Sequence, residues 1–139
     1  MSSFHLKIVS LDGMFFDGEA RQVSLRAIDG EVSILAGHIP YVTAIAAGEC
    51  RVYVEGTDQI RRAACIGGLL TVTKEQVLVA ATTFEWAENI DYDRAITAKT
   101  QAEDILSSNS ANDHRKEVAK NKLRRANTRL KVVENYKSN

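Results

Sequence analysis

The chain has 139 residues, 45% of them hydrophobic, and its 18 acidic side chains balance its 18 basic ones. That length holds one ordinary domain, or a small one with an appendage, and the apolar share excludes wholesale disorder. No stretch approaches the roughly 18 consecutive apolar residues of a membrane span.

The opening residues, Met1-Ser2-Ser3-Phe4-His5-Leu6-Lys7, lack the basic start and apolar run of a secretory signal and alternate like a strand instead. Cys50 and Cys65 form no C-x-x-C pair and have no companions for a metal site. The expectation is a soluble intracellular protein with both thiols reduced.

Alternation continues through the first half. Phe4, Leu6 and Ile8 oppose His5 and Lys7; Val23, Leu25 and Ala27 oppose Gln22, Ser24 and Arg26. Val52 and Val54 follow the same period, as do Val77 and Val79. All eight glycines and the single proline, Pro40, fall within residues 1–68, so the repeated turns belong there. Period two with frequent turn residues predicts an antiparallel β-sandwich of about eight to ten strands over residues 1–86. Asp29-Gly30 reads as a hairpin turn.

From residue 90 onward there is neither glycine nor proline, and the period changes. Ala95, Ala98, Ala102 and Ile105 share one helical face; Ala119, Leu123, Ala126, Leu130 and Val133 share another. This predicts an antiparallel two-helix hairpin in a second domain, residues 87–139, with helices near 91–107 and 112–136. Asp91 is placed to cap the first helix and Asn112 or Asp113 the second, with residues 107–110 as the link. A seam of alanines buries little area, which makes the hairpin a weakly held element.

Charge is divided unevenly. Residues 1–109 carry nine basic and fifteen acidic side chains, hence −6, whereas residues 110–139 carry nine and three, hence +6. The basic tail therefore expects an acidic counterpart, in its own body, in another protein or in phosphates.

Catalytic signatures are missing. His5, His38 and His114 are scattered, and no phosphate-loop, dinucleotide or zinc-protease motif occurs. Gly67-Gly68 leads into a strand-like Leu69-Leu70-Thr71-Val72, which argues for a turn or bulge rather than a phosphate cradle. The second helix lacks aromatic residues apart from Tyr136, so base-stacking on nucleic acid is disfavoured. Arg125 and Arg129, four apart, are spaced to grip one polyphosphate or one carboxylate cluster.

The order of β-sandwich then helical hairpin resembles the epsilon-subunit family of bacterial F-type ATP synthases along nearly the whole chain. Residues 29–40, DGEVSILAGHIP, are similar to that family's GE-x-GILPGH-x-P segment, with Ser33 and Ala36 standing where glycine and proline are common. Gly67-Gly68 followed by a strand is similar to its second signature. Ile90-Asp91-Tyr92-Asp93-Arg94-Ala95 resembles the I/L-D-x-x-R-A motif, and residues 125–130, RANTRL, its R-A-x-x-R-L companion.

The resemblance implies a non-catalytic subunit of the central-stalk rotor, needing no cofactor and no metal, with ATP as a regulatory ligand. The ATP site would comprise Glu85, Ile90, Asp91, Arg94, Ala95, Arg125 and Arg129; Asp91 serves equally well as a plain helix cap. Glu31 and His38 would contact the c-ring or gamma subunit. Arg115, Lys122, Arg124 and Arg125 would meet an acidic loop of the beta subunits when the hairpin opens and blocks ATP hydrolysis. Implied partners are gamma, the c-ring, and alpha and beta, with no nucleic acid. Membrane association would come only through the complex, at the cytoplasmic face of the bacterial membrane. Two other readings stay open: a free-standing ATP-binding module, and a basic-helix nucleic-acid-binding protein.

Overall fold

Alternating apolar residues and well-placed turns give seven strands, and the computed structural model describes them within residues 2–138. They are β1 (Phe4–Ser10), β2 (Gly13–Ala27), β3 (Gly30–Leu35), β4 (Tyr41–Ala44), β5 (Gly48–Val54), β6 (Ile60–Val72) and β7 (Val77–Trp86). The expected eight to ten strands are seven because β2 and β6, at 15 and 13 residues, each do the work of two.

β2 shows how. Its first half pairs with β1, and after an extra residue at Arg21 its second half pairs with β3 and β5. An inserted residue bends a strand and raises its twist, which lets one strand serve both layers. The strands run in the order β1-β7-β6-β5-β2-β3, β4 lies on β6, and a β1–β2 pairing closes the circuit. Against expectation the sandwich is not wholly antiparallel: β1 and β7, distant in sequence, pair in parallel.

Between the layers Leu6, Ile8, Val23, Leu25, Ile34, Val52, Leu70 and Val79 are fully buried. Phe15, Phe84 and Trp86 extend this core as tilted and edge-on ring contacts of 5.1 and 4.9 Å. The Trp86 indole N–H donates to the Phe15 carbonyl at 3.3 Å, and the Arg61 guanidinium stacks 3.7 Å from the ring centroid. Cys50 and Cys65, on neighbouring strands, both face this core as free thiols.

Gly67 and Gly68 are neither a turn nor a bulge. They lie inside β6, paired in constant register with β7, at φ of +78° and +117°. The hairpin at residues 27–30 forms as expected, with Ile28 and Asp29 as its loop and Gly30 at φ +127°.

The chain divides into two compact units, Met1–Trp86 and Ala87–Asn139. The second consists of a single 3-10 turn (Ala87–Asn89), helix α1 (Tyr92–Ser107) and helix α2 (Asp113–Lys137).

Candidate functional site

Helix α1 starts where it does because Asp91 is extended and its Oδ1 accepts the Arg94 backbone N–H at 3.0 Å. Asn112 does the same for α2, accepting the Arg115 N–H at 2.8 Å. Each cap satisfies a donor that the first helical turn leaves unpaired. Ala95 and Ala102 on α1 and Ala119, Ala126, Leu130 and Val133 on α2 are buried, whereas Ala98, Ile105 and Leu123 are partly so.

The short link between Ser107 and Asp113 makes the helices antiparallel, so the first turn of the 16-residue α1 lies beside roughly residues 126–129 of the 25-residue α2, which runs on past it. Lys137 Nζ stands 5.1 Å from the Tyr92 ring centroid across that open end.

Helix geometry then locates the predicted ligand residues. With the alanine seam facing inward, Arg94 falls on the flank of α1 that adjoins the flank of α2 bearing Arg125 and Arg129. The two α2 arginines are one turn apart and half-buried, Arg94 and Asp91 are exposed, Ile90 is half-buried and Ala95 is buried. The guanidinium groups of Arg94 and Arg125 make no hydrogen bond or ion pair within the described residues. Four basic or capping residues thus gather at one end of the hairpin, next to a helix N-terminus, where anions are favoured. Glu85 stands in the other unit, on β7 opposite Ala64.

Of the basic residues expected to meet an acidic partner, Arg115, Lys122 and Arg124 are exposed and Arg125 is half-buried. Arg124 Nη1 donates to Asn121 Oδ1 at 3.0 Å.

In the sandwich, Glu31 and His38 are not neighbours. Glu31 sits at the hairpin end of β3 and His38 beyond the other end, about 13 Å away along the strand at the usual rise. Glu31 forms an ion pair with Arg51, which also donates to Glu49 at 3.1 Å; Arg62 donates to the same Glu49 oxygen at 2.9 Å. Partial burial alone would lower the Arg51 pKa, but the bonds to Glu31 and Glu49 outweigh it and move it up. His38 Nδ1 donates to the Ile39 carbonyl at 2.7 Å, and its ring lies 5.9 Å from that of Tyr41. His38 lines a cleft of about 590 Å³ with Phe4, Leu35, Ile39, Lys74 and Glu75.

The Glu31–Arg51–Glu49–Arg62 chain and the Tyr92–Lys137 contact were not foreseen. The first was implicit in alternating charges on β5 and β6, the second in the antiparallel hairpin. Among the described residues no group of three His, Cys, Asp or Glu is placed to hold a metal ion, and no helix is long and apolar enough to cross a membrane.

Residues 3–87 match the model of the ATP synthase delta/epsilon chain β-sandwich domain, and residues 88–134 match that of its long α-helix domain. The chain belongs to the ATP synthase delta/epsilon chain family. Within it, the chain is 38% identical over 136 residues to the ATP synthase epsilon chain of Caldicellulosiruptor saccharolyticus, covering 96% of each. It is 39% identical to the epsilon chain of Bacillus velezensis, covering 97% of this chain and 100% of that one. Its fold is shared with a chain of the Euglena gracilis mitochondrial ATP synthase at TM-score 0.76 and 19% identity, covering 99% of this chain and 81% of the other. These family members are subunits of a rotary complex, and the resemblance first read from residues 29–40 and 90–95 is thereby established.

Proposed function

We propose that the chain acts as a non-catalytic central-stalk subunit that couples ion flow to ATP synthesis and restrains ATP hydrolysis through its hairpin. The sandwich docks on gamma and the c-ring, with Glu31 and His38 contributing, and holds the protein peripherally at the cytoplasmic face of the membrane. In the extended state, α2 presents Arg115, Lys122, Arg124 and Arg125 to an acidic surface of the catalytic subunits. In the compact state those contacts are withdrawn. ATP, held by Asp91, Arg94, Arg125 and Arg129 with Ile90 and Ala95 as walls, stabilises the compact state alone. A ligand moves an equilibrium only by its differential affinity, so such a site senses ATP.

The observation that carries this reading is the gathering of Arg94, Arg125 and Arg129 at one end of a hairpin sealed mainly by alanines. Small side chains bury little area, which keeps compact and open hairpins close in free energy. Removing residues 88–139 tests the restraint: the assembled complex should hydrolyse ATP faster with assembly intact. Equal hydrolysis with and without the hairpin would contradict it. A free-standing nucleotide module would bind ATP without co-purifying with alpha, beta and gamma, and a nucleic-acid-binding protein would show steeply salt-dependent affinity for DNA or RNA.

A further inference from the structure

On the outer face of the sandwich, Arg51 of β5, Ser24 of β2 and Ser33 of β3 stand in one row, with β2 in the middle. Glu31 lies two residues along β3 from Ser33 and so shares that face. Its direct cross-strand neighbour is Arg26 on β2. Glu31 nevertheless pairs with Arg51, one strand further away. Arg26 is exposed, and its guanidinium makes no ion pair among the described residues. The strands flanking β2 are about 9–10 Å apart, so the Arg51 arm must cross β2 to reach Glu31. Ser24, beneath that crossing, is fully buried although it alternates with the core residues Val23 and Leu25.

The arm is itself held. Its Nη1 donates to Glu49 Oε1 at 3.1 Å, and Arg62 Nη1 donates to the same oxygen at 2.9 Å. Glu49 and Arg62 are only 11% and 17% exposed, so solvent screens this inner pair weakly. The outer nitrogen, Nη2, donates to Oε1 of Glu31. Glu31 Oε2 accepts no hydrogen bond among the described residues. One guanidinium thus grips an internal carboxylate with one nitrogen and a surface carboxylate with the other, leaving the second Glu31 oxygen for an incoming donor. That fork belongs to arginine, whereas a lysine ammonium is a point charge on a flexible stem.

We infer that Arg51 is the positioning residue for the docking contact of Glu31: it holds one carboxylate oxygen so that the other meets a hydrogen-bond donor on the partner. The inference rests on the docking role proposed above for Glu31 and adds to it the residue that fixes its geometry. A side chain already immobilised loses less freedom on binding, which raises affinity without any new contact.

The test uses the full-length protein and measures its affinity for the c-ring–gamma assembly lacking this chain. Arg51→Met and Arg51→Lys should each weaken binding about two- to ten-fold, the range for freeing one long side chain. Glu49 keeps Arg62 in both, so the sandwich remains folded, which circular dichroism checks. In a Glu31→Ala background the same Arg51→Lys change should have no further effect, because Arg51 acts through Glu31 alone. A merely structural role for Arg51 would weaken binding equally in both backgrounds, and that result would overturn the inference. Wild-type affinity in either Arg51 variant would overturn it too. Both results leave the docking role of Glu31 in place if Glu31→Ala by itself weakens binding. Wild-type affinity in Glu31→Ala would remove that role, and this inference with it.

Discussion

Lys137 Nζ lies 5.1 Å from the centroid of the Tyr92 ring, joining the last turn of α2 to the first turn of α1. The hairpin is closed covalently at residues 108–112 and by this contact at its free end. A cation over a half-buried tyrosine at the surface is worth about 0.5–1 kcal/mol. Lys137→Ala should therefore loosen the free end: amide exchange in the last two turns of α2 speeds up a few-fold, and sandwich amides are unaffected. Unchanged exchange in α2 would show that the contact contributes nothing.

Gly68 is the least replaceable glycine of the sandwich. A Cβ there would sit 2.1 Å from the Ala80 carbonyl oxygen and 2.8 Å from the Ala81 Cα, at a φ of +117°. Both clashes are with the backbone of β7, which cannot move without breaking the sheet. Gly68→Ala should cost more than about 3 kcal/mol or prevent folding, whereas Gly56→Ala, with open space around it, should cost only about 1 kcal/mol of backbone strain. Denaturant unfolding of the two variants checks the contrast.

Glu49 lies between Arg51 and Arg62, which face each other directly across β5 and β6. Its side chain is only 11% exposed, so removing it leaves two opposed cations partly withdrawn from water. We expect Glu49→Gln to destabilise the sandwich by about 2–4 kcal/mol. Glu31, at 46% exposure the outer member of the chain, should cost under about 1 kcal/mol when replaced by alanine. Thermal or urea unfolding of both variants measures the difference.

The two core thiols set an alkaline limit. Burial pushes the Cys65 thiol up to about 12 and also raises Cys50, to which the neighbouring Cys65 adds. In the unfolded chain a thiol ionises near pH 8.5. The folded state thus binds protons that the unfolded state releases, so this contribution is fully present below about pH 8.5 and is lost as pH rises towards 12. Unfolding free energy should fall across that window, less so in Cys65→Ala. At neutral pH a thiol reagent should modify both cysteines only at the rate of unfolding.

Much of this architecture is legible in the residues themselves. Alternation located β1 and β2, and the alanine periods located both helices to within one residue, because each pattern maps directly onto a face. Strand count was overestimated because length alone does not reveal that β2 bends at Arg21 and continues. Gly67-Gly68 reads as a turn or bulge, and the structure differs, because a glycine pair inside a strand and one between strands have the same local sequence; the close approach of β7 decides. Motifs pointed to Asp91, Arg94, Arg125 and Arg129, but only the antiparallel closure of the helices puts them at one end. The separation of Glu31 from His38 is likewise invisible in the sequence, since a segment of eight residues looks short until it is stretched along a strand.

Calorimetric titration of the full-length protein with ATP, beside an Arg125→Ala/Arg129→Ala variant, tests the central claim most directly. Trp86, the only tryptophan, gives an independent fluorescence signal at the junction of the two units. Saturable binding by the wild type that the double variant loses is the predicted result. No binding at millimolar ATP would contradict an ATP-sensing hairpin, leaving Asp91 as a helix cap and the hairpin governed by its partners alone.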